Sequence, residues 1–447
     1  MRRILHRWYS RTYQLLRFLD HRLTPAGKFL WVLFFIALFF GPNTQSSMVF
    51  AILTPLGATL ILSRLFERPF RPEVSVRRLL PRYAAVGTPL SYRIEIVNRG
   101  KKREAGLSVC EETPDPRPDY ETWRRNPEPG EEKRNAFDRF MRYYRWEWLI
   151  ERRRGAQFES SEVPSLMPGE TRAVEMSFTP TRRGVIRLSG CRIEHSDVFG
   201  LWKRGAVFST DDVVIALPPV HSIRIPEFCG HRRYQQGGVV VAHKVGDSEE
   251  FMQVREYRPG DPLKRIHWPS SARVGSLAVK EFNDEYFARI ALILDTFHPA
   301  AFSPELEDAV SIAASYLVAG ATEEEVIDLL FVGAETVSFS AGRGTGSTER
   351  MLEILAGVEP CRDKPFSVLS GLVGERISSF CGAVVVLLAL DDERLALLRM
   401  LTVAGIEYRV FWVTADAEAA QEQVSATGLS TIRIVPLGHV AEALRTS

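Results

Sequence analysis

Residues 254–282, VREYRPGDPLKRIHWPSSARVGSLAVKEF, gather six basic side chains, three carboxylates, one His and one Trp between two turn signals. Three kinds of chemistry fit those types. His267 with Asp261 or Glu256 could form a base and the carboxylate that orients it, the first two parts of an acid–base site. Ser270 and Ser271 follow closely, but neighbours on one short helix rarely converge on a single reacting atom. The second possibility is a brace, in which Arg255 and Arg273 pair with Glu256 and Asp261 to fix a bend, with His267 and Trp268 packed beneath. The third is docking. Lys264 and Arg265 lie on a short segment that commits Leu263, Ile266 and Trp268 to packing, so the two cations are left to face an acidic partner. Brace and docking surface can coexist and are the reading adopted. No catalytic residue and no cofactor are assigned.

The other chemical candidate is Asp295, at the end of the apolar run ARIALILD (288–295). Ligands of open α/β sheets bind at the carboxyl ends of strands. Asp295, Asp391 in ALDDE, and Thr345 or Thr348 could offer oxygens to a hard divalent cation. Phe297 and Pro299 next to Asp295 cannot, so the metal site lacks ligands, and the plainer role for Asp295 is to cap a neighbouring loop. FSAGRGTGSTERML (339–352) has the glycines of a phosphate loop but no G-K-[ST], and Ser347 stands where a third glycine is needed. It reads as a flexible loop.

These groups must be positioned by elements that the pattern predicts. VREY is a strand and RPGD a tight turn. Asp261 then caps a helix with Pro262 at its first position, LKRIHW continues it, and Pro269 stops it. SSARVG makes another turn that closes on Gly275, and SLAVKEF is a second strand. Residues 221–283 thus bridge two domains. From 284 to 447, buried apolar strands (VIDLLFVG, GAVVVLLAL, YRVFWV, STIRIVPL) alternate with helices, which means a doubly wound parallel sheet. One helix is well punctuated: Ser303 as N-cap, Pro304 first, Glu305 and Glu307 in the first turn, Gly320 at the end.

Residues 72–220 instead alternate with period two, as in SYRIEIVN, AVEMSFTP and VIRLSGCRIEH, and read as an antiparallel β-sandwich. A helical insertion at about 111–162 interrupts it. There Phe137, Phe140, Met141, Tyr144 and Trp148 recur at helical spacing, flanked by Arg139, Arg142 and Arg145. That stripe packs on its own domain, or meets a membrane or partner.

The N-terminal part is different again. Residues 25–66 hold two apolar runs, FLWVLFFIALFF and MVFAILTPLGATLIL, joined by the uncharged GPNTQSS. They read as a transmembrane hairpin. A cleaved signal peptide fits less well, because the basic region is long, no A-x-A follows and a second apolar run comes at once. Both flanks are basic and the tip is neutral, so both termini and the soluble domains are expected on the cytoplasmic side of the inner membrane. Residues 1–24 form a basic arm, either frayed or an interfacial helix on anionic lipid. Outside the basic first 82 residues the 447-residue chain is balanced, with a net charge of only +2, which argues against a bulk nucleic-acid binder. The five scattered cysteines form no C-x-x-C and are expected to be free thiols.

VREYRPGD, RIHW, SARVG and L-x-V-K-E-F, with RRG (Arg182–Gly184) and DVFGLW (Asp197–Trp202), resemble the signature of a bacterial family catalogued as domain of unknown function 58. The resemblance implies a membrane hairpin, a β-rich domain and a von Willebrand A-like end. It also implies a MoxR-type AAA+ ATPase partner and an association with a transglutaminase-like membrane protein, and no general enzymatic activity is established for the family. The von Willebrand A pattern D-x-S-x-S departs here, with Phe297 and Pro299 at its Ser positions. The function expected is a membrane-anchored scaffold or interaction protein of envelope assembly. The rival is an enzyme: a metal-dependent hydrolase at Asp295, or an acid–base site around His267.

Overall fold

A computed structural model describes residues 1–40, 47–65, 70–223, 250–258, 263, 266–283, 289–322, 326–341, 345–429 and 431–445. Asp261, Lys264 and Arg265 lie outside them.

Three helices come first: α1 (Arg2–Arg22), α2 (Pro25–Phe40) and α3 (Ser47–Leu65). α2 has 16 residues, and α3 has 19 with Pro55 inside. At 1.5 Å per residue α2 rises about 24 Å, short of the ~30 Å hydrocarbon core. Among the described residues no helix is long and apolar enough to cross a membrane, so the two expected spans are not found there. The surface of the pair is nonetheless apolar: Phe29, Val32, Phe35, Ile52 and Ile61 are all more than half exposed. α1 has two faces. Leu5, Tyr9 and Tyr13 pack inward, and Arg17 donates to Glu112 at 3.1 Å. Ile4, Trp8, Leu15 and Phe18 stand out into solvent along the other face.

The sandwich follows, with β1 (Val74–Leu79), β2 (Tyr83–Ala85), β3 (Leu90–Asn98), β4 (Leu107–Glu112), β5 (Ala156–Phe158), β6 (Ser161–Val163), β7 (Thr171–Pro180), β8 (Gly184–Ser196) and β9 (Lys203–Leu217). One sheet has the order β1-β3-β7-β5 and the other β2-β9-β8-β4-β6. The sequence alternation explains the packing: Tyr92, Ile94 and Ile96 of β3 and Val174, Met176 and Phe178 of β7 all point inward. A buried polar group ties the sheets together. Arg78 of β1 reaches Glu111 of β4 at 2.6 and 3.1 Å, Tyr92 donates to the same carboxylate, and both charged side chains are fully enclosed. Burial and the Glu111 charge push the Tyr92 phenol well above its usual range.

The insertion departs from the single stripe expected. It contains α4 (Tyr120–Arg125), α5 (Ala136–Met141) and α6 (Tyr143–Arg154). Arg142, with φ 55°, breaks the helix and resets its phase. Phe137, Phe140 and Tyr144 therefore end exposed, and the buried face is Arg145, Trp146, Leu149 and Ile150. That face, with Trp123 of α4, receives Tyr9 of α1. Arg145 is held by Glu131 at 2.6 and 2.7 Å.

A two-stranded sheet, β10 (Glu250–Glu256) and β11 (Ala278–Asn283), carries α7 (Trp268–Val274) between its strands. The last unit has β12 (Arg289–Leu294), α8 (Pro304–Thr322), β13 (Val326–Val332), β14 (Thr336–Ala341), α9 (Thr345–Ala356), α10 (Ser367–Arg376), β15 (Gly382–Leu387), α11 (Asp392–Val403), β16 (Glu407–Thr414), α12 (Ala417–Thr427), β17 (Ile432–Pro436) and α13 (Val440–Arg445). Its sheet runs β14-β13-β12-β15-β16-β17, parallel except for the antiparallel edge strand β14. Successive β12 residues feed opposite cores. Ile290, Leu292 and Leu294 face α8, α9 and α13, while Ala291 and Ile293 face α10, α11 and α12. Of the segment read as a flexible loop, residues 339–341 end β14 and 345–352 form the first turns of α9, while 342–344 lie outside the described residues. Ser303 Oγ accepts from the Leu306 amide at 3.2 Å as the α8 cap, but α8 runs past Gly320.

The sandwich and this α/β unit are joined. Arg183 pairs with Glu307 and donates to the Val358 carbonyl at 2.6 Å. Arg82 and Tyr83 both reach Glu353 at 3.1 Å. Among the described residues Cys110, Cys191 and Cys361 are free thiols, and the expectation for Cys229 lies outside the described residues.

Candidate functional site

β10 and β11 pair antiparallel, with Arg255 opposite Val279 and Glu256 opposite Ala278. The connection crosses back over β11, where the His267 amide donates to the Ala278 carbonyl at 2.8 Å and Ile266 bridges Val279. Ser271 is the buried hinge: its Oγ accepts the Ala278 amide at 2.9 Å and donates to the His267 carbonyl at 3.0 Å. Pro269 does not stop a helix here. It sits in the first turn of α7, where a missing N–H costs nothing, and Gly275 closes the helix at φ 75°.

This architecture turns the segment inside out relative to expectation. Trp268 is 65% exposed, not packed beneath a brace, because α7 touches the hairpin through Ser271 and leaves Trp268 and Val274 outward. Leu263 and Leu277 are exposed beside them. Glu256 and Arg273 are exposed as well, while Arg255 is half-buried and donates to the Glu256 carbonyl at 3.1 Å. His267 is half-buried, and its Nδ1 lies 2.7 Å from Ser270 Oγ. That contact brings together two residues the sequence argument had kept apart. It links the residue before α7 to the third residue of the helix, the spacing of an N-terminal cap.

Asp295 lies where β12 ends, between β13 on one side and β15 on the other, at the point where the sheet order reverses. It is completely buried. A cation does face it, and the cation is a side chain. Arg394 of α11 donates to Asp295 Oδ2 at 2.7 Å and Oδ1 at 3.2 Å, and also pairs with Asp391. The Phe297 and Leu388 amides donate to the same carboxylate at 2.9 and 3.1 Å. Burial raises the Asp295 pKa, whereas Arg394 and the two amides pull it down. Burial also works against the Arg394 charge, but Asp295 and Asp391 outweigh it and raise the Arg394 pKa. The ionised pair is the state that fits the geometry: both Asp295 oxygens already accept hydrogen bonds, so a proton there would have no acceptor. Asp391, considered as a cation ligand, thus joins Asp295 through a guanidinium. Thr348 does not join them, because α9 covers the opposite face of the sheet from α11, and the side chain of Thr345 lies outside the described residues.

The DVFGLW stretch proves to be a collar around the base of the helical hairpin. Asp197 accepts from the Leu201 and Trp202 amides at 2.6 and 2.8 Å, and from Ser63 of α3. Thr24, between α1 and α2, donates its amide to the Leu201 carbonyl at 3.0 Å. A side chain on Gly27 would stand 2.1 Å from that carbonyl oxygen, so only glycine allows the approach. Val198 and Phe199 at the tip are exposed. The sequence does not reveal this role, because the partners of the motif lie more than a hundred residues away.

Residues 253–399, about one third of the chain, match the family model described as "Protein of unknown function DUF58". An "Uncharacterized protein YeaD" of Bacillus subtilis (strain 168) is 29% identical over 195 residues, covering 43% of this chain and 47% of that protein. The chain therefore spans about half the length of the curated relative it matches. Among solved structures, manganese-loaded TRAP protein of Plasmodium vivax aligns with TM-score 0.26 and 7% identity over 35% of this chain and 71% of its own. A GH20 exo-β-N-acetylglucosaminidase of Vibrio harveyi aligns with TM-score 0.16 and 9% identity over 81% of each chain. Likenesses that weak carry no argument about fold or activity. The family match and the Bacillus relative support the DUF58 family of unknown function for this chain, on a match that runs from the β10 strand into α11.

Proposed function

We propose that the protein is a scaffold that presents its β10–α7–β11 segment to another protein, a MoxR-type AAA+ ATPase in the reading adopted here. One observation carries this. The segment buries Ser271 with Ile266, Ala278 and Val279, and leaves Leu263, Trp268, Val274 and Leu277 exposed, more apolar surface than so short a hairpin needs to show. Exposed apolar groups clustered on so small an element favour a partner surface. Lys264 and Arg265, adjacent in sequence, would add a charge preference for an acidic partner. Reversing both to Glu should weaken capture of the purified ATPase, most at low salt where attraction is least screened. Wild-type capture by that variant would place the contact elsewhere.

Membrane anchoring belongs to the same proposal. Its support is the number of exposed apolar side chains in the N-terminal part and the collar: Phe29, Val32, Phe35, Ile52 and Ile61 of α2 and α3, Val198 and Phe199 at the collar tip, and Ile4, Trp8, Leu15 and Phe18 of α1. The expected arrangement is the inner membrane with both termini and the soluble domains cytoplasmic, and a transglutaminase-like membrane protein as a further companion.

An enzyme remains the second reading, on the 2.7 Å His267–Ser270 contact. Labelling of Ser270 by a fluorophosphonate probe would establish it, and absence of labelling supports the scaffold. At Asp295 the hydrolase reading is disfavoured, because Arg394 already supplies the cation.

A further inference from the structure

Three arginines converge where the insertion, the sandwich and the α/β unit meet. Arg152 comes from α6, and Arg182 and Arg183 from the turn between β7 and β8. Arg183 is 7% exposed and is spent on the joint, through Glu307 and the Val358 carbonyl. The other two are not. Among the described residues no ion pair or hydrogen bond engages the guanidinium of Arg152 or Arg182, and the Nε atoms of Arg182 and Arg183 are buried without a partner. Arg152 instead lies 3.8 Å from the centre of the Phe302 ring. All three border a cavity of about 450 Å³. Two carboxylates there, Glu307 and Glu359, face three cations, and a third, Glu353, is committed to Arg82 and Tyr83. Burial lowers the pKa of all three arginines, that of Arg152 to about 10, and Glu307 and Glu359 offset this only in part. Holding unneutralised guanidinium groups in a cleft is costly unless an anion meets them.

We propose that this cleft binds the phosphoryl group of a small molecule, with Arg152 and Arg182 as its cationic clamp. The forked donors of arginine match phosphate oxygens two at a time. A phosphate monoester carries about −1.5 to −2 charges near neutral pH, which suits two unpaired guanidinium groups better than a carboxylate does. An adjoining cavity of about 300 Å³ is bordered by the same arginines, by Glu151, Glu307 and Asp308, and by Trp148, Phe302, Val86 and Pro219. Its apolar wall would take the organic part. Such a ligand would touch the insertion and the sandwich while lying against the α/β unit, and so would stiffen the joint between them. The site is independent of the scaffold reading.

The test is a titration of the purified full chain with inorganic phosphate and with a simple aryl phosphate, followed by calorimetry and by melting temperature, against sodium chloride at matched ionic strength. Saturable binding is expected, tighter for the aryl phosphate. Arg182→Gln and Arg152→Gln should each weaken it at least about tenfold, the scale on which charge-assisted bonds matter. Arg93→Gln, on an exposed sandwich position, should leave it unchanged. Should a Gln variant fail to fold, Arg152→Lys keeps the charge but removes the fork, and weaker binding is still expected. No saturable binding beyond the chloride control, or full affinity in folded Arg152 and Arg182 variants, overturns the proposal.

Discussion

Replacing Arg394 by Met removes the only side-chain cation among the described residues that contacts Asp295, while keeping most of the apolar stem. The carboxylate keeps the Phe297 and Leu388 amides as donors but loses two charged contacts at 2.7 and 3.2 Å in a fully buried site. Breaking a buried pair from one side typically costs about 3–5 kcal/mol, because the remaining charge stays buried. For a unit of this size each kcal/mol moves the melting temperature by about 2–4 °C, so a drop of roughly 6–20 °C is expected. The sign of the pH dependence follows. Burial already raises the Asp295 pKa, and losing Arg394 raises it further. A carboxyl whose folded pKa lies above its unfolded value favours the fold when protonated. The deficit of Arg394→Met should therefore be largest at neutral pH and shrink as pH falls toward about 4. Asp295→Asn combined with Arg394→Met should cost less than the two single changes summed, by more than about 0.5 kcal/mol. Differential scanning calorimetry of the full chain from pH 4.5 to 8 provides the assay. A melting temperature within about 2 °C of wild type, or strict additivity, would refute the reasoning.

Four further outcomes are expected. Calorimetry with Mg²⁺ or Mn²⁺ should show no saturable binding that depends on Asp295, since Arg394 holds the cation position and Phe297 and Pro299 bring no side-chain oxygen; micromolar binding abolished in Asp295→Ala would contradict this. Reporter fusions after Arg71 and at Ser447 should be active only as cytoplasmic reporters, and periplasmic activity at either site would contradict the topology. Burial pushes the Cys110 thiol up to about 12 and the Cys191 thiol to about 11, so alkylation of both at pH 8 should be at least about a hundredfold slower in the native chain than in the unfolded one. Burial and then Arg192 hold His21 below its ordinary pKa, against Glu112 and Glu194. Its contribution to docking of α1 is thus complete above about pH 6.5 and lost as pH falls below that, a dependence that His21→Asn should flatten in thermal melts.

The strands were legible where burial imposes a simple period. Ile94 and Ile96 alternate with polar neighbours because one face of β3 is solvated, and Ile290 to Leu294 are uniformly apolar because β12 is covered on both sides. What could not be read was set by single residues or by distant partners. Arg142 in the left-handed region rotates the whole register of α6, and no propensity argument foresees that for an arginine. Trp268 looks like core by type, yet Ser271 makes the contact that seats α7. Asp295 stands out in the sequence by its place at a strand end. Its partner does not, since Arg394 lies 99 residues away in sequence and resembles any helix-surface arginine in its composition context. Asp197 and Thr24 have the same problem at the collar. The two apolar runs were clear, but the described helices fall short of the span lengths inferred from them.

The outward apolar face of the β10–α7–β11 segment carries the proposed scaffold role. Its most direct test is co-purification of the full-length protein with a co-expressed MoxR-type ATPase, comparing wild type with Trp268→Ser combined with Val274→Ser. Both positions are exposed, so the melting temperature should hardly change, surface substitutions usually costing no more than about 0.5 kcal/mol. The account predicts that the double variant melts like wild type and recovers the ATPase at least about tenfold less well. Undiminished recovery, or no association even with the wild-type chain, would contradict it.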